Sequence, residues 1–252
     1  GMAQPTDVGI IGDPKMALND LANTLELLMT GQEKEAARIR AASISDKTAL
    51  RQSEWEMLVK ERWDNIPISQ ERMMVDLANQ LPADTLIVDD SVSSRDALLK
   101  AIKFDQPGSL IASRGGALGW DIGAGLGAKL ANPDKPVVAI LGDGGAMMTV
   151  QGLWTAANEN IPVVFIICNN STYRVLKTNM DIYKSLVLHE NERKSKYLGM
   201  DFPARLDMAG IAMAMGVHGR KVENPAEIGP AVLEALNLGK PAVIDVVIDG
   251  SV

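Results

Sequence analysis

Two continuous apolar runs, Pro136–Leu141 and Ile161–Cys168, constrain this chain more than any other feature. Neither shows polar alternation, so each reads as a strand covered on both faces. The stretches around them fit that reading. Strands are predicted at Thr85–Asp89, Ser109–Ala112, near Val217 and at Ala242–Ile248. Helices are predicted at Arg95–Ile102, Asp121–Leu130, Ala146–Asn158, Ala204–Met215 and Ala226–Leu238. Strands alternating with helices imply an α/β fold of three layers, αβα, with a mostly parallel sheet and helices on both faces, over residues 66–252.

The rest of the chain reads differently. Val8–Asp13 is expected to be a short buried strand and turn. Pro14 then opens a helix carrying Met16, Leu18, Leu21, Leu25 and Leu28 at helical spacing. One strand and one helix cannot build a core, so residues 1–30 read as the remnant of a preceding central domain. Residues 31–65 are rich in charge (Glu33, Lys34, Glu35, Arg38, Arg40, then Glu54, Glu56, Lys60, Glu61, Arg62) and read as a helical connector. Ser69 is a natural N-cap for the helix that follows, with Met73, Met74, Leu77 and Leu81 on its apolar face. Gly1 before Met2 reads as a residue left from expression.

Composition narrows the function. A net charge of −7, from 25 Lys+Arg against 32 Asp+Glu with no basic stripe, argues against nucleic acid as a partner. A single Cys rules out an intrachain disulfide and fits a reducing, cytoplasmic setting. No apolar run is long enough to span a membrane.

Two strand ends carry the chemistry. After the first apolar run comes Leu141-Gly142-Asp143-Gly144-Gly145, at the start of a helix. Glycines allow a sharp turn and close approach of a ligand, and a helix start offers free N–H groups to a phosphate. A carboxylate beside a phosphate is repulsive unless a cation lies between them, so Asp143 asks for a divalent ion. Mg²⁺ takes one or two carboxylates together with phosphate oxygens. After the second run comes Cys168-Asn169-Asn170-Ser171-Thr172, which offers an amide oxygen and the Thr172 carbonyl as neutral ligands. Taken alone, a Gly-Asp-Gly turn or an Asn-Asn cap is commonplace. Together, at the ends of successive strands, they form a Mg²⁺–diphosphate site.

Gly142-Asp143-Gly144, then residues 145–168, then Asn169-Asn170 resembles the motif of the thiamine diphosphate-dependent enzymes. The wider stretch is similar to the C-terminal pyrophosphate-binding domain of benzoylformate decarboxylase and its acetolactate synthase-like relatives. The similarity extends upstream to Ser113-Arg114-Gly115-Gly116-Ala117-Leu118-Gly119 and downstream to Asp201-Phe202. It implies that Asp143, Asn170 and the Thr172 carbonyl hold Mg²⁺. It implies that Gly142, Gly144, Gly145 and Ser93 receive the diphosphate, and that Gly116 and Leu118 receive the aminopyrimidine, with Leu118 supporting the bent cofactor. The implied activity is decarboxylation or carboligation of a 2-oxo acid substrate, as a lyase or transferase, in a homodimer or tetramer. In this family the glutamate that starts the reaction comes from a pyrimidine-binding domain, which nothing here matches. The expectation is therefore a chain inactive alone, with no catalytic residue of its own.

Several positions depart from the pattern. Gly145 stands where a serine is frequent in the family. Val92 replaces a hydroxyl residue of benzoylformate decarboxylase, and Ala112 and Asn179 replace aromatic ones, which argues against an aromatic substrate. His189 lies in the polar stretch Lys184–Tyr197, which resembles a mobile loop over the cofactor. His218 and Cys168 read as structural, and Met147, Met148 and Trp154 as packing on the sheet or at a subunit interface. A nucleotide-dependent oxidoreductase is disfavoured because Gly123-x-Gly125-x-Gly127 has the wrong spacing for a dinucleotide loop. A cofactor-binding subunit of a two-subunit enzyme, and a non-catalytic binding module, remain as alternatives.

Overall fold

The computed structural model describes residues 4–113, 115–189 and 197–252. Arg114, within the Ser113–Gly119 motif, and residues 190–196, within the polar stretch after Lys184, lie outside the described residues. The chain divides into two compact units, Gly1–Glu54 and Trp55–Val252.

In the first unit, α1 spans Pro14–Leu28. Asp13 caps it, accepting the Met16 N–H at 3.0 Å, and Pro14 occupies the first turn, where its missing N–H costs nothing. The expected strand at Val8–Asp13 is not formed; Val8, Ile10 and Ile11 are exposed, and a strand without a ladder partner is not stable by itself. No residue of α1 is buried, so its apolar stripe is uncovered among the described residues. The second helix, α2, runs from Gly31 to Glu61 and begins with a capping box: Thr30 N–H donates to Glu33 and Glu33 N–H to the Thr30 hydroxyl. The boundary between the two units falls inside this helix, and Trp55, beyond it, is buried in the core of the second unit.

The second unit holds the sheet. Its elements in order are α3 (Gln70–Gln80), β1 (Leu86–Asp90), α4 (Arg95–Ala101), β2 (Leu110–Ala112), α5 (Asp121–Ala131), β3 (Val137–Gly142), α6 (Asp143–Ala146), α7 (Gly152–Asn158), β4 (Val164–Asn169), α8 (Arg174–Tyr183), α9 (Met208–Ala214), β5 (His218–Val222), α10 (Ile228–Asn237) and β6 (Ala242–Val247). Ser69 caps α3 as expected, accepting the Arg72 N–H at 3.1 Å. The six strands form one parallel sheet in the order β2-β1-β3-β4-β6-β5.

Alternate residues of β3 and β4 point to opposite faces. Val138, Ile140, Val164 and Ile166 join the core formed with α3, α4 and α10. Ala139, Leu141, Phe165 and Ile167 join the core formed with α5, α7 and α9. Burial on both faces explains why these strands read as unbroken apolar runs. The helix expected at Ala146–Asn158 is instead two pieces, α6 and α7. The break lies where the Thr149 hydroxyl reaches across to the Gly119 carbonyl at 2.5 Å and Gly152 lies against Ile122. Gly125 explains the glycine-rich α5: a Cβ there would lie 3.3 Å from the Ala139 side chain, so its absence lets the helix sit tight on the sheet.

From β1 the chain runs outward to β2, and it returns to β3 on the other side of β1. The carboxyl ends of β1 and β3 therefore flank a topological switch point, where open α/β sheets place ligands.

Candidate functional site

A cleft of about 220 Å³ opens at this switch point. Three segments line it: Ser91–Ser93 after β1, Gly142–Gly145 after β3, and Asn170 with Thr172–Leu176 after β4; Leu118 and Met148 complete it. Ser93, Leu118, Gly142, Asp143, Gly144, Gly145, Asn170 and Thr172 are thus brought together in one place. Gly116 is not among the lining residues; it is exposed, with a positive φ of 67°.

Register explains the convergence. Gly142 pairs with Cys168, so Asp143 leaves β3 beside Asn169, the last residue of β4, which is still paired with Val247 of β6. Asp143 stitches the two strand ends together, accepting the Gly144 N–H at 2.8 Å and the Ser171 N–H at 2.7 Å. It is buried, and loss of solvation raises its pKa against those two hydrogen bonds. A carboxylate short of solvation gains from a cation placed beside it. Asn170 forms a turn through its own side chain, which accepts the Thr172 N–H at 3.1 Å, and its amide N–H₂ donates to the Ser93 hydroxyl at 3.4 Å. The adjacent Ser171 has a left-handed φ of 55°.

Among the described residues no group of three His, Cys, Asp or Glu side chains could hold a metal unaided. An ion here would take Asp143 as its one anionic protein ligand and draw the rest of its oxygens from neutral groups and a bound anion. Space for that anion exists, because a Cβ on Gly142 would meet nothing within 4 Å and one on Gly145 would only graze Asp90 at 3.9 Å. Gly144 faces the protein instead, where a Cβ would clash with the Tyr173 ring at 2.7 Å. The donor set and the open glycine cradle therefore fit a diphosphate bridged by a divalent ion.

The upper wall is apolar. Leu118 is 50% exposed, which makes it a surface presented to a ligand or a partner rather than a packed core residue. Val92 also lines the cleft and holds a φ of 48°, a left-handed conformation that is a genuine outlier for a β-branched residue.

Behind the cleft lies a network that the sequence reading missed. The Asn169 amide donates to the Asp245 carboxylate and to the Leu206 carbonyl, both at 2.8 Å, and Arg205 donates to the Asn169 carbonyl at 3.0 Å. Asp245 also accepts the Met208 N–H at 3.0 Å and is fully buried. Its signal was present in the sequence as the one carboxylate inside an otherwise apolar strand. Of the residues taken as structural, Cys168 is buried and its thiol is pushed up to about 12 by desolvation, and His218 lies 3.5 Å from Glu234. Neither His189 nor His218 lines the cleft. Met147, Met148 and Trp154 are exposed, which argues against packing on the sheet and leaves a subunit interface as the expectation for them.

Comparison with known proteins agrees with this geometry. Residues 90–246 match the family model of the thiamine pyrophosphate enzyme C-terminal TPP binding domain. A probable acetolactate synthase large subunit of Methanococcus aeolicus is 30% identical over 97% of this chain, which spans 40% of that protein. A benzoylformate decarboxylase of Pseudomonas aeruginosa is 30% identical over 91% of the chain and 39% of its own length. Among solved structures, a thiamine diphosphate-dependent 4-hydroxybenzoylformate decarboxylase of Rhodococcus jostii RHA1 superposes with a TM-score of 0.67 at 30% identity, covering 73% of this chain and 33% of that one. The chain thus spans about two fifths of the curated relatives' length, and it belongs to the thiamine pyrophosphate enzymes, of which it carries the C-terminal cofactor-binding domain.

Proposed function

We propose that this domain holds thiamine diphosphate by its diphosphate through a Mg²⁺ ion bound to Asp143, Asn170 and the Thr172 carbonyl, as part of a 2-oxo acid decarboxylase or carboligase. One observation carries the reading: the buried carboxylate of Asp143 lines the cleft beside an amide turn and an open glycine cradle, all at a topological switch point. Gly142, Gly145 and Ser93 receive the diphosphate oxygens. Gly116 and Leu118 receive the aminopyrimidine, Leu118 with an apolar side chain and Gly116 with backbone alone. When bound, the cofactor supplies the nucleophile that attacks a carbonyl and the sink for the electrons released when a carbon–carbon bond breaks. The residues named here bind and orient; proton transfer to the cofactor is assigned to a pyrimidine-binding domain beyond this chain, in the same or a second polypeptide. The exposed apolar rim of Leu118, Met148 and Leu176 supports coverage of the cleft by such a domain.

Isothermal titration with thiamine diphosphate, with and without Mg²⁺, tests the assignment. Binding should require the metal in the wild type and weaken at least tenfold in Asn170→Ala, a loss of about 1.4 kcal/mol. Equal affinity without Mg²⁺ would contradict a metal-bridged diphosphate.

A further inference from the structure

Directly beneath the cleft, two carboxyl groups are buried against each other. Asp90 ends β1 and Asp121 opens α5; their exposures are 8% and 0%. They lie close enough for a carboxyl–carboxylate hydrogen bond, in which Asp90 raises the pKa of Asp121 while the contact with Asp121 lowers that of Asp90. One oxygen of Asp121, Oδ1, accepts the Ile122 N–H at 2.6 Å; no N–H or O–H among the described residues reaches its Oδ2. Asp90 Oδ2 accepts the Gly119 N–H at 3.0 Å.

Among the described residues, the surroundings supply little compensating charge. Asp89 and Arg95 face the pair from β1 and the start of α4, and they are ion-paired with each other at 3.3 Å. The elements β3 and α7, which also pack against α5, carry no titratable side chain. Asp143, at the end of the neighbouring strand, is turned to the N–H groups of Gly144 and Ser171 instead. Two ionised carboxylates cannot share such a site at low cost; one proton between them resolves both the repulsion and the missing donor.

We propose that Asp121 is a positioning residue: carried as the neutral acid, it shares one proton with Asp90, and this acid pair anchors the loop Gly115–Gly119 that presents Leu118 to the cofactor. The anchor is specific. Gly119 has a φ of 78° and is gripped from both sides, its N–H by Asp90 and its carbonyl by the Thr149 hydroxyl at 2.5 Å. Loss of the shared proton sets two negative charges against each other at the root of that grip. Burial, followed among the raising causes by the Asp90 charge, lifts the Asp121 pKa from 3.8 to about 7. The folded state then keeps a proton that the unfolded chain releases. Its contribution to stability is complete below 3.8 and is lost as pH rises to about 7.

The pair itself does not depend on the cofactor reading; its consequence for the loop does. Carboxyl ¹³C NMR of aspartate-labelled protein should show a group titrating near 7 that is absent from Asp121→Asn and moves downward in Asp90→Asn. Thermal unfolding should show wild type losing ground to Asp121→Asn between pH 3.8 and about 7, since the asparagine keeps a donor to Asp90 and cannot ionise. A titration that survives Asp121→Asn, or is unmoved by Asp90→Asn, overturns the shared proton. Titration with thiamine diphosphate and Mg²⁺ should weaken above pH 7 in wild type and stay flat in Asp121→Asn; identical profiles overturn the anchoring role. Absence of binding in both proteins at every pH would count against the cofactor reading, while the carboxyl titration would still decide the pair.

Discussion

At the scale of single residues, the site joins groups that oppose folding with groups that could favour a ligand. Val92 is the clearest case. Its left-handed backbone costs about 1–3 kcal/mol, and it persists because Asp89 accepts both the N–H and the hydroxyl of Ser91, fixing the turn. Glycine at this position removes the strain but adds about 0.5–1 kcal/mol of chain entropy. Val92→Gly should therefore stabilise the protein by about 1 kcal/mol in urea unfolding, while removing an apolar wall of the cleft. A loss of stability would show that the side chain's contacts outweigh the strain. Asp245 illustrates the opposite balance. Asp245→Ala leaves the Asn169 amide and the Met208 N–H without their acceptor in the core, a cost of about 2–5 kcal/mol. The same change should loosen the Asn169–Asn170 turn and lower Mg²⁺-dependent cofactor affinity; a variant as stable as wild type would mean that the network is dispensable.

At the scale of elements, what was legible in the sequence depended on how local its cause was. The strands β3 and β4 were visible because burial on both faces leaves only apolar residues, and the Gly142–Gly145 turn because its glycines stand beside a lone acid. The joining of Asp143 to Asn170 was legible because both follow strand ends that are neighbours in the sheet. What stayed hidden was long-range. The link from Asp90 to Gly119 to Thr149 joins the end of β1, the loop before α5 and the break between α6 and α7. Helix α8 was also missed, since Tyr173 at its start provides no side-chain cap. The strand expected at Val8–Asp13 failed for want of a partner, something a pattern of residues does not reveal. Packing of α5 on the sheet gives the element-scale test. A Cβ on Gly125 already lies at 3.3 Å from Ala139, so Gly125→Leu should cost about 1–3 kcal/mol through overpacking. A neutral result would show that the helix is free to shift and that the glycine has another purpose.

At the scale of the molecule, the sheet domain presents the cleft proposed for the cofactor at the carboxyl ends of β1, β3 and β4. No residue lining the cleft belongs to either buried core of the sheet, so cofactor binding should add stability without altering the fold. A ligand that binds only the folded state stabilises it by about 2.7 kcal/mol at a hundredfold excess over its Kd. The most direct test of the central claim is thermal unfolding of this chain with Mg²⁺ and thiamine diphosphate together, each alone, and neither, in wild type and in Asp143→Ala. The midpoint should rise only when both are present, and should not rise in Asp143→Ala. A rise of equal size in the variant would contradict the assignment of Asp143 as the metal-binding carboxylate.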